Sequence, residues 1–274
     1  MTVSLEIQDG NPWWDSPNIW TVPGDDPEGA RGMPIAGQSC YVWANVINGG
    51  TSRVENATVR FYWANPSVGF DRTTANFIGT AFVTLSAGES ADVLCLTPWV
   101  PQFVNEGHEC LLAEAFHPAL DPLPATKEFN VPTDRHTAQR NISVALAARG
   151  FFRLAFEIHN PELKARKFQI RVRQDGLEQI KPLIQHLGRD FKIPREGEIE
   201  KMGFVQTLYP CEDQLKNAVP AIDGIEIGPG QRTGLTLLGT VKGGASLLHV
   251  EQLVDNSTVG GLSVLVLPTK DAEQ

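Results

Sequence analysis

No run of this chain is apolar for the ~20 residues that a bilayer-crossing helix needs, so no membrane span is expected. The first ten residues, Met-Thr-Val-Ser-Leu-Glu-Ile-Gln-Asp-Gly, lack a basic stretch followed by an apolar one. No signal peptide is therefore expected. That leaves three locations open: the cytoplasm, leaderless export, or outside the cell if this is a mature form. Cysteine is scarce, and Cys40, Cys95, Cys110 and Cys211 make neither a C-x-x-C pair nor a zinc pattern. Two readings of Cys40 and Cys110 stay open, a bridge between two sheets and a pair of buried free thiols. The nucleophile elbow G-x-S-x-G is missing, since Gly37-Gln-Ser-Cys and Gly88-Glu-Ser-Ala both lack the closing glycine. There is no phosphate-binding loop. Gly228-Pro-Gly230-Gln-Arg-Thr-Gly234 is one residue too long for G-x-G-x-x-G and reads as a hairpin between strands. His108-Glu109-Cys110, His117 with Asp121, and Asp134 with His136 each lack the further ligand that a zinc centre requires. These absences leave no catalytic constellation, and a non-enzymatic protein is expected.

Tryptophan is absent from everything after residue 99; Trp13, Trp14, Trp20, Trp43, Trp63 and Trp99 all precede that point. Charge is divided as unevenly. Residues 1–137 carry 6 Lys+Arg against 16 Asp+Glu, a net of −10, and residues 138–274 carry 17 against 16, a net of +1, which together give −9. An acidic first half repels phosphates, so no nucleic-acid partner is expected. The two shifts in composition predict two domains, 1–137 and 138–274. The polar, proline-bearing stretch Asn130–Asn141 is the expected boundary.

What is present is a pattern that occurs twice. Cys40–Asn48 alternates apolar and polar residues, turns at Asn48-Gly-Gly, and resumes over Ala57–Trp63. Phe151–His159 alternates, turns at Asn160-Pro, and resumes over Phe168–Arg173. Period-two alternation bounded by Gly, Pro and Asn marks half-buried strands. Each copy is followed by a glycine turn, Leu85-Ser-Ala-Gly-Glu-Ser in the first and Ile227-Gly-Pro-Gly-Gln-Arg in the second. The expected strands are 39–47, 57–64, 78–85, 91–97 and 109–116, then 142–147, 151–159, 167–174, 202–207, 224–228, 234–241, 246–253 and 261–267. The predicted fold class is all-β, two tandem immunoglobulin-like antiparallel β-sandwiches. The second carries a short helical insertion near 176–191, where Leu177, Ile180, Leu183, Ile184 and Leu187 fall at helical spacing, Pro182 keeps the helix short and Gly188 ends it. That insertion is expected to lie as a lid over a sheet edge or a sandwich end. Residues 9–38 read as a long ordered loop held down by its aromatic residues.

Val42-Trp-Ala-Asn-Val-Ile-Asn-Gly-Gly-Thr51, Leu85-Ser-Ala-Gly-Glu-Ser-Ala-Asp-Val93 and the exit Asp134–Val144 resemble the CARDB-type group of bacterial immunoglobulin-like domains. The resemblance covers residues 39–145. It implies an adhesive or accessory role and brings no shared catalytic residue with it.

The expected function is therefore an interaction or assembly component that meets a protein partner, or another copy of itself, through loops and strand edges. Trp13, Trp14, Trp20 and Trp99, in loops, are the expected binding residues. The same loop tryptophans support an alternative, a carbohydrate-binding or adhesive module. Asp15, Asp25, Asp26 and Glu28 cluster in the N-terminal segment and are the candidate ligands of a structural calcium, the other reading being solvated carboxylates. No further cofactor is expected. The sequons at Asn56, Asn141 and Asn256 are discounted without a leader peptide.

Overall fold

The computed structural model describes residues 1–269 apart from 65–66, 69–70, 74, 103–109, 127, 161–162, 189 and 208–209. His108 and Glu109 of the His-Glu-Cys run, Pro161 of the second turn and parts of the 65–71 loop lie outside the described residues. The chain is all-β, as its alternation predicts. The first half holds β1 (Leu5–Glu6), β2 (Ile19–Pro23), β3 (Cys40–Asn48), β4 (Val54–Ala64), β5 (Ser67–Val68), β6 (Asn76–Leu85), β7 (Ser90–Trp99), β8 (Cys110–Phe116) and β9 (Thr137–Arg140). The second holds β10 (Ile142–Ala147), β11 (Phe151–His159), β12 (Arg166–Asp175), β13 (Glu198–Val205), β14 (Ala221–Ile227), β15 (Arg232–Lys242), β16 (Ser246–Val254) and β17 (Ser257–Pro268).

In the first half, β3 pairs with β7 along one edge and with β2 and β1 in succession along the other. Facing it is a sheet ordered β6-β4-β8-β9. Alternation places Cys40, Val42, Ala44 and Val46 of β3 on the inner face, packed with Val59 and Phe61 of β4 and Ala113 of β8. In the second half, the sheet β13-β15-β11, to whose edge β5 of the first half adds in parallel, and the sheet β10-β17-β16-β12-β14 enclose a separate core that includes Phe152, Leu154, Phe156, Phe168, Leu237 and Val250.

The repeat is topological. β3 pairs with β7 as β11 pairs with β15. β4 pairs with β6 and β8 as β12 pairs with β14 and β16. β8 pairs with β9 as β16 pairs with β17. This corrects the hairpin expected at Gly228–Gly234. β14 and β15 belong to opposite sheets, so that turn carries the chain across the sandwich, as the 85–90 turn does between β6 and β7. Glycine and proline punctuate both kinds of turn alike, and the local sequence does not separate them.

One residue in each copy holds these crossings in place. Asn48, fully buried, donates from Nδ2 to the carbonyls of Ser52 (2.8 Å), Leu85 (3.4 Å) and Ser86 (3.1 Å). Asn160, also fully buried, donates to those of Lys164 (2.8 Å), Ile227 (2.9 Å) and Gly228 (3.1 Å). The backbone repeats too. Asn48 N–H donates to Glu89 and its carbonyl accepts from Gly88; Asn160 N–H donates to Gln231 and its carbonyl accepts from Gly230. Gly88 (φ 73°) and Gly230 (φ 66°) occupy the left-handed region that glycine adopts without cost. Each amide thus ties the first crossing of its sandwich to the second.

Three elements depart from expectation. Residues 9–38 contain β2, because Ile19 turns into the first core beside Ala44. The expected polar boundary is a buried passage in which β9 hydrogen-bonds to β8 and residues 136–143 are all buried. The helical insertion is a 3-10 helix, Leu177–Leu183, continued by α1 (Ile184–Leu187). Its Leu177, Ile180 and Leu183 pack with Ile142, Leu247 and Leu265, so it covers the outward face of the β10-β17-β16 sheet rather than an edge or an end. Burying those three side chains contributes about 1.5–3 kcal/mol each.

No two of the four cysteines are joined in a disulfide, and Cys40 and Cys110 are buried. Replacing Asn48 or Asn160 by Ala removes the side-chain donor to the buried Leu85 or Ile227 carbonyl, whereas the Ser86 and Gly228 carbonyls keep the N–H groups of Glu89 and Gln231. Each change should lower unfolding stability by about 2–4 kcal/mol in urea titrations, and similar losses at both positions would bear out their equivalence.

Candidate functional site: a buried polar junction

The densest polar chemistry lies where the two sandwiches meet. Residues 14–16 run beside the end of β9: Asn141 N–H donates to the Trp14 carbonyl at 2.8 Å, and Ser16 N–H donates to that of Gln139 at 2.9 Å. Asn141 then reaches into the second sandwich. Its carbonyl accepts from Ser263 N–H at 3.0 Å and its Nδ2 donates to the Gly261 carbonyl at 2.8 Å. Trp14 follows the same route. Its indole lies flat against Gly261, so close that a Cβ there would fall 2.3 Å from ring atoms. Its Nε1 donates to Ser263 Oγ at 3.0 Å, and its ring meets His249 edge-on at 5.9 Å.

Around Ser263 Oγ the side chains converge. His249 Nδ1 is 2.8 Å away, and Asp15 Oδ2 shares a short hydrogen bond with the hydroxyl. Ser263 and His249 are wholly buried and Asp15 is 5 % exposed. Burial pushes the Asp15 carboxyl up to about 8, against the pull of the Ser263 hydrogen bond and the Arg140 charge. Burial, then the Arg173 charge, holds His249 down to about 4. Arg140 is buried beside Asp15 and donates to the His186 carbonyl at 3.2 Å; burial lowers it to about 10, so it stays cationic. His186 sits in α1 and is held down to about 2, first by burial and then by Arg140 and Arg31. At neutral pH the junction thus holds a protonated carboxyl, two neutral imidazoles and one guanidinium.

A second cluster lies on the outward face of the β6-β4-β8-β9 sheet. Glu114, fully buried, accepts from Tyr62 Oη (2.7 Å) and Arg72 Nε (2.7 Å). Beside it, His136 lies between Asp134 (2.7 Å) and Asp121 (3.2 Å). Burial works against a charge on His136, but hydrogen bonds to both carboxylates raise its proton affinity overall. Asp121 also accepts Leu5 N–H at 2.6 Å, which pins β1 to this cluster.

The residues singled out in the sequence are distributed differently from the binding loop they were expected to form. Trp14, Trp20 and Trp99 are buried. Trp20 stacks on Trp43 at 6.0 Å, carries Arg31 over its ring at 3.7 Å and lies 6.3 Å from the His186 ring; Trp99 packs in the first core. Trp13 is half-buried, edge-on to Trp14 at 5.3 Å. Large flat rings with one polar atom fill an interface well, and that is where these rings are used. Of the carboxylates, Asp15 is in the junction while Asp25, Asp26 and Glu28 are exposed on the 24–32 loop, so the four do not converge. Among the described residues no three His, Cys, Asp or Glu side chains are grouped to hold a metal ion. Ser263 beside His249 has the composition of a nucleophile and its base, but the hydroxyl is already engaged by three buried side chains.

Ser263, His249 and Arg140 were not singled out from the sequence, and Asn141 was noted only as the end of the expected boundary and as a sequon. Two signals were available. The Gly260-Gly261 doublet inside a strand marks a close approach, and His249 lies between Leu248 and Val250 in a strand buried at eight of its nine positions.

These shifts set the pH dependence of folding. Asp15 is raised from 3.8, so its stabilisation is present below that value and lost as pH rises toward 8. His249 and His186 are lowered from 6.5, so theirs is present above 6.5 and lost as pH falls toward 4 and 2. Between pH 4 and 6.5 the two histidines are opposed by Asp15 and by Asp9, which burial and then Glu6 push up to about 7 but which lies at the surface, where solvent screening reduces its weight, so the histidines keep a small advantage. Above 6.5 Asp15 acts unopposed, joined by His136. Unfolding stability should peak near pH 6.5 and fall by about 2 kcal/mol by pH 8, as read by denaturant melts at stepped pH. Gly261→Ala should drive the Trp14 ring off β17 and cost about 1–3 kcal/mol by the same assay.

No protein-family model matches the chain, and no curated protein matches it in sequence. Among solved structures it is similar to a CARDB domain from Pyrococcus furiosus determined in complex with di-metal ions, at 15% identity over 51% of this chain and 85% of that one, TM-score 0.29. It is also similar to the CupB6 tip adhesin from Pseudomonas aeruginosa, at 12% identity over 98% of each chain, TM-score 0.25. A third similar structure is red sea bream transglutaminase, at 10% identity over 92% of this chain and 31% of that one, TM-score 0.25.

Proposed function

We propose that this protein is a non-enzymatic interaction component, two β-sandwich domains held as one piece, which meets a protein partner along the β6 and β7 rim of the first sandwich. The observation that carries this reading is the exposure on that rim. β6 and β7 each hydrogen-bond to a single neighbouring strand among those described. β6 has no charged residue along its ten positions and exposes Phe77 (58 %) and Phe82 (66 %). β7 exposes Leu96 (76 %), and Val100 follows it.

Unguarded strand edges normally carry charge. The outer strand β13 shows the habit with Glu198, Glu200 and Lys201, and β14 with Asp223 and Glu226. An uncharged edge strand with exposed aromatic side chains, beside Leu96 of a β7 whose one charge is Asp92, is the composition of a contact surface. The excess of 16 acidic over 6 basic residues in 1–137 favours a partner with a basic face, which it would attract at long range. The tryptophans and the Ser263–His249 pair are engaged inside the fold, which directs attention to the rim rather than to the N-terminal loop.

The test compares wild-type protein with Phe82→Lys combined with Leu96→Lys, both checked for an unchanged circular dichroism spectrum. Co-purification from the native source should yield a partner with the wild type and lose it with the double variant, with binding weakening as salt is raised. Equal recovery by both proteins, or a wild type that stays alone and monomeric at high concentration, would overturn the reading.

A further inference from the structure

We propose that Asp15, Ser263, His249 and Asp175 form a proton relay that runs from the buried junction to the surface and couples the ionisation of Asp15 to the tautomer of His249. The geometry leads there through a count of protons. A hydroxyl has one proton to donate and two lone pairs to accept with. Trp14 Nε1–H takes one lone pair of Ser263 Oγ at 3.0 Å, leaving one donor and one acceptor for Asp15 Oδ2 and His249 Nδ1 at 2.8 Å.

Only two patterns use both. In the first, the protonated Asp15 carboxyl donates to Ser263, Ser263 donates to His249 Nδ1, and the ring proton sits on Nε2, which makes no hydrogen bond and faces Asp175 Oδ2 at 3.5 Å, an oxygen that also accepts from Arg173 at 2.5 Å. In the second, Asp15 is ionised, Ser263 donates to it, and His249 carries its proton on Nδ1 and donates to Ser263. Passing from the first to the second moves the Asp15 proton to Ser263 Oγ, the Ser263 proton to Nδ1 and the Nε2 proton to the Asp175 carboxylate. Asp175, with 29% of its side chain exposed, hands the proton to water. One proton leaves, the imidazole stays neutral, and nothing is oxidised.

The charges around the relay act on it from every side. Arg140 on β9 favours the ionised Asp15 and burial opposes it, while burial and then Asp15 keep the Cys110 thiol on β8 protonated. Cys40 on β3 and His186 in α1 face the Arg140 guanidinium. At the outer end, Arg173 on β12 discourages a second proton on His249, while Asp175 and Glu251 favour one. Arg171 and Arg173 both bind Glu251, which limits that pull. Burial and Arg173 keep the ring neutral, the condition the relay requires, and the raised proton affinity of Asp15 places its switch at mildly alkaline pH.

The test uses the full chain labelled with nitrogen-15 and carbon-13. The two ring nitrogens of His249 and the carboxyl carbon of Asp15 are followed by nuclear magnetic resonance from about pH 6 to about pH 10. The relay requires the Nδ1–H to Nε2–H ratio to rise about tenfold per pH unit through the midpoint at which the Asp15 carboxyl titrates. A tautomer that stays constant while Asp15 titrates, one that shifts at a different midpoint, or an Asp15 carboxyl that does not titrate in this range would each overturn it. Asp15→Asn preserves shape and removes the titrating group, so the ratio should become independent of pH; persistence of the shift in a folded variant would also overturn the relay. The wild-type titration decides the matter alone if that variant does not fold.

Discussion

A buried amide that gathers three carbonyls fixes the point at which the chain changes sheets, and both sandwiches are built around such a point. Asn48 and Asn160 each bond the loop that begins at them and the end of a strand more than thirty residues further on. A carbonyl buried without a donor costs on the order of 1–3 kcal/mol, so these amides satisfy a demand that no apolar residue at the same place could meet. With both crossings tied to one side chain, the register of the strands on either side is constrained as well. The two cores differ in every detail of packing, yet the amide, its bonds and the left-handed glycine recur.

The junction shows the same principle between the sandwiches. Asn141 bonds Trp14 on one side and Gly261 and Ser263 on the other, and Trp14 spans the same gap with its ring. The polar groups gathered here are buried at a cost, and their partial compensation leaves proton affinities far from ordinary values. The tryptophan-rich N-terminal segment therefore acts as a clasp on the second sandwich. The proposed contact with a partner falls instead to the rim of β6 and β7.

Most strands were legible because alternation is a local signal. Cys40–Asn48 and Phe151–His159 could be read to within a residue, since one face of each is buried and the other is not. The short helical insertion was legible from Pro182 and the apolar spacing. What could not be read depends on partners distant in sequence. β2 is a strand because Ile19 meets Ala44, and β9 because it lies against β8. A glycine turn looks the same whether its strands pair or part. Asp15 reads as one loop carboxylate among four until Ser263, 248 residues away, is placed beside it.

That separation governs the order of assembly during synthesis. The first sandwich has all its strands once Arg140 is made, but Trp14 and Asp15 then have nothing to close upon. β10 is in the same position, for its parallel partner is β17, the last strand of the chain. A ribosome delivering the chain from its N-terminus would thus leave an indole, a carboxyl and an unpaired strand waiting for more than a hundred residues. The clasp is the last piece to form, and a chain cut short before Ser263 would keep its first core while exposing the surface that should have sealed it.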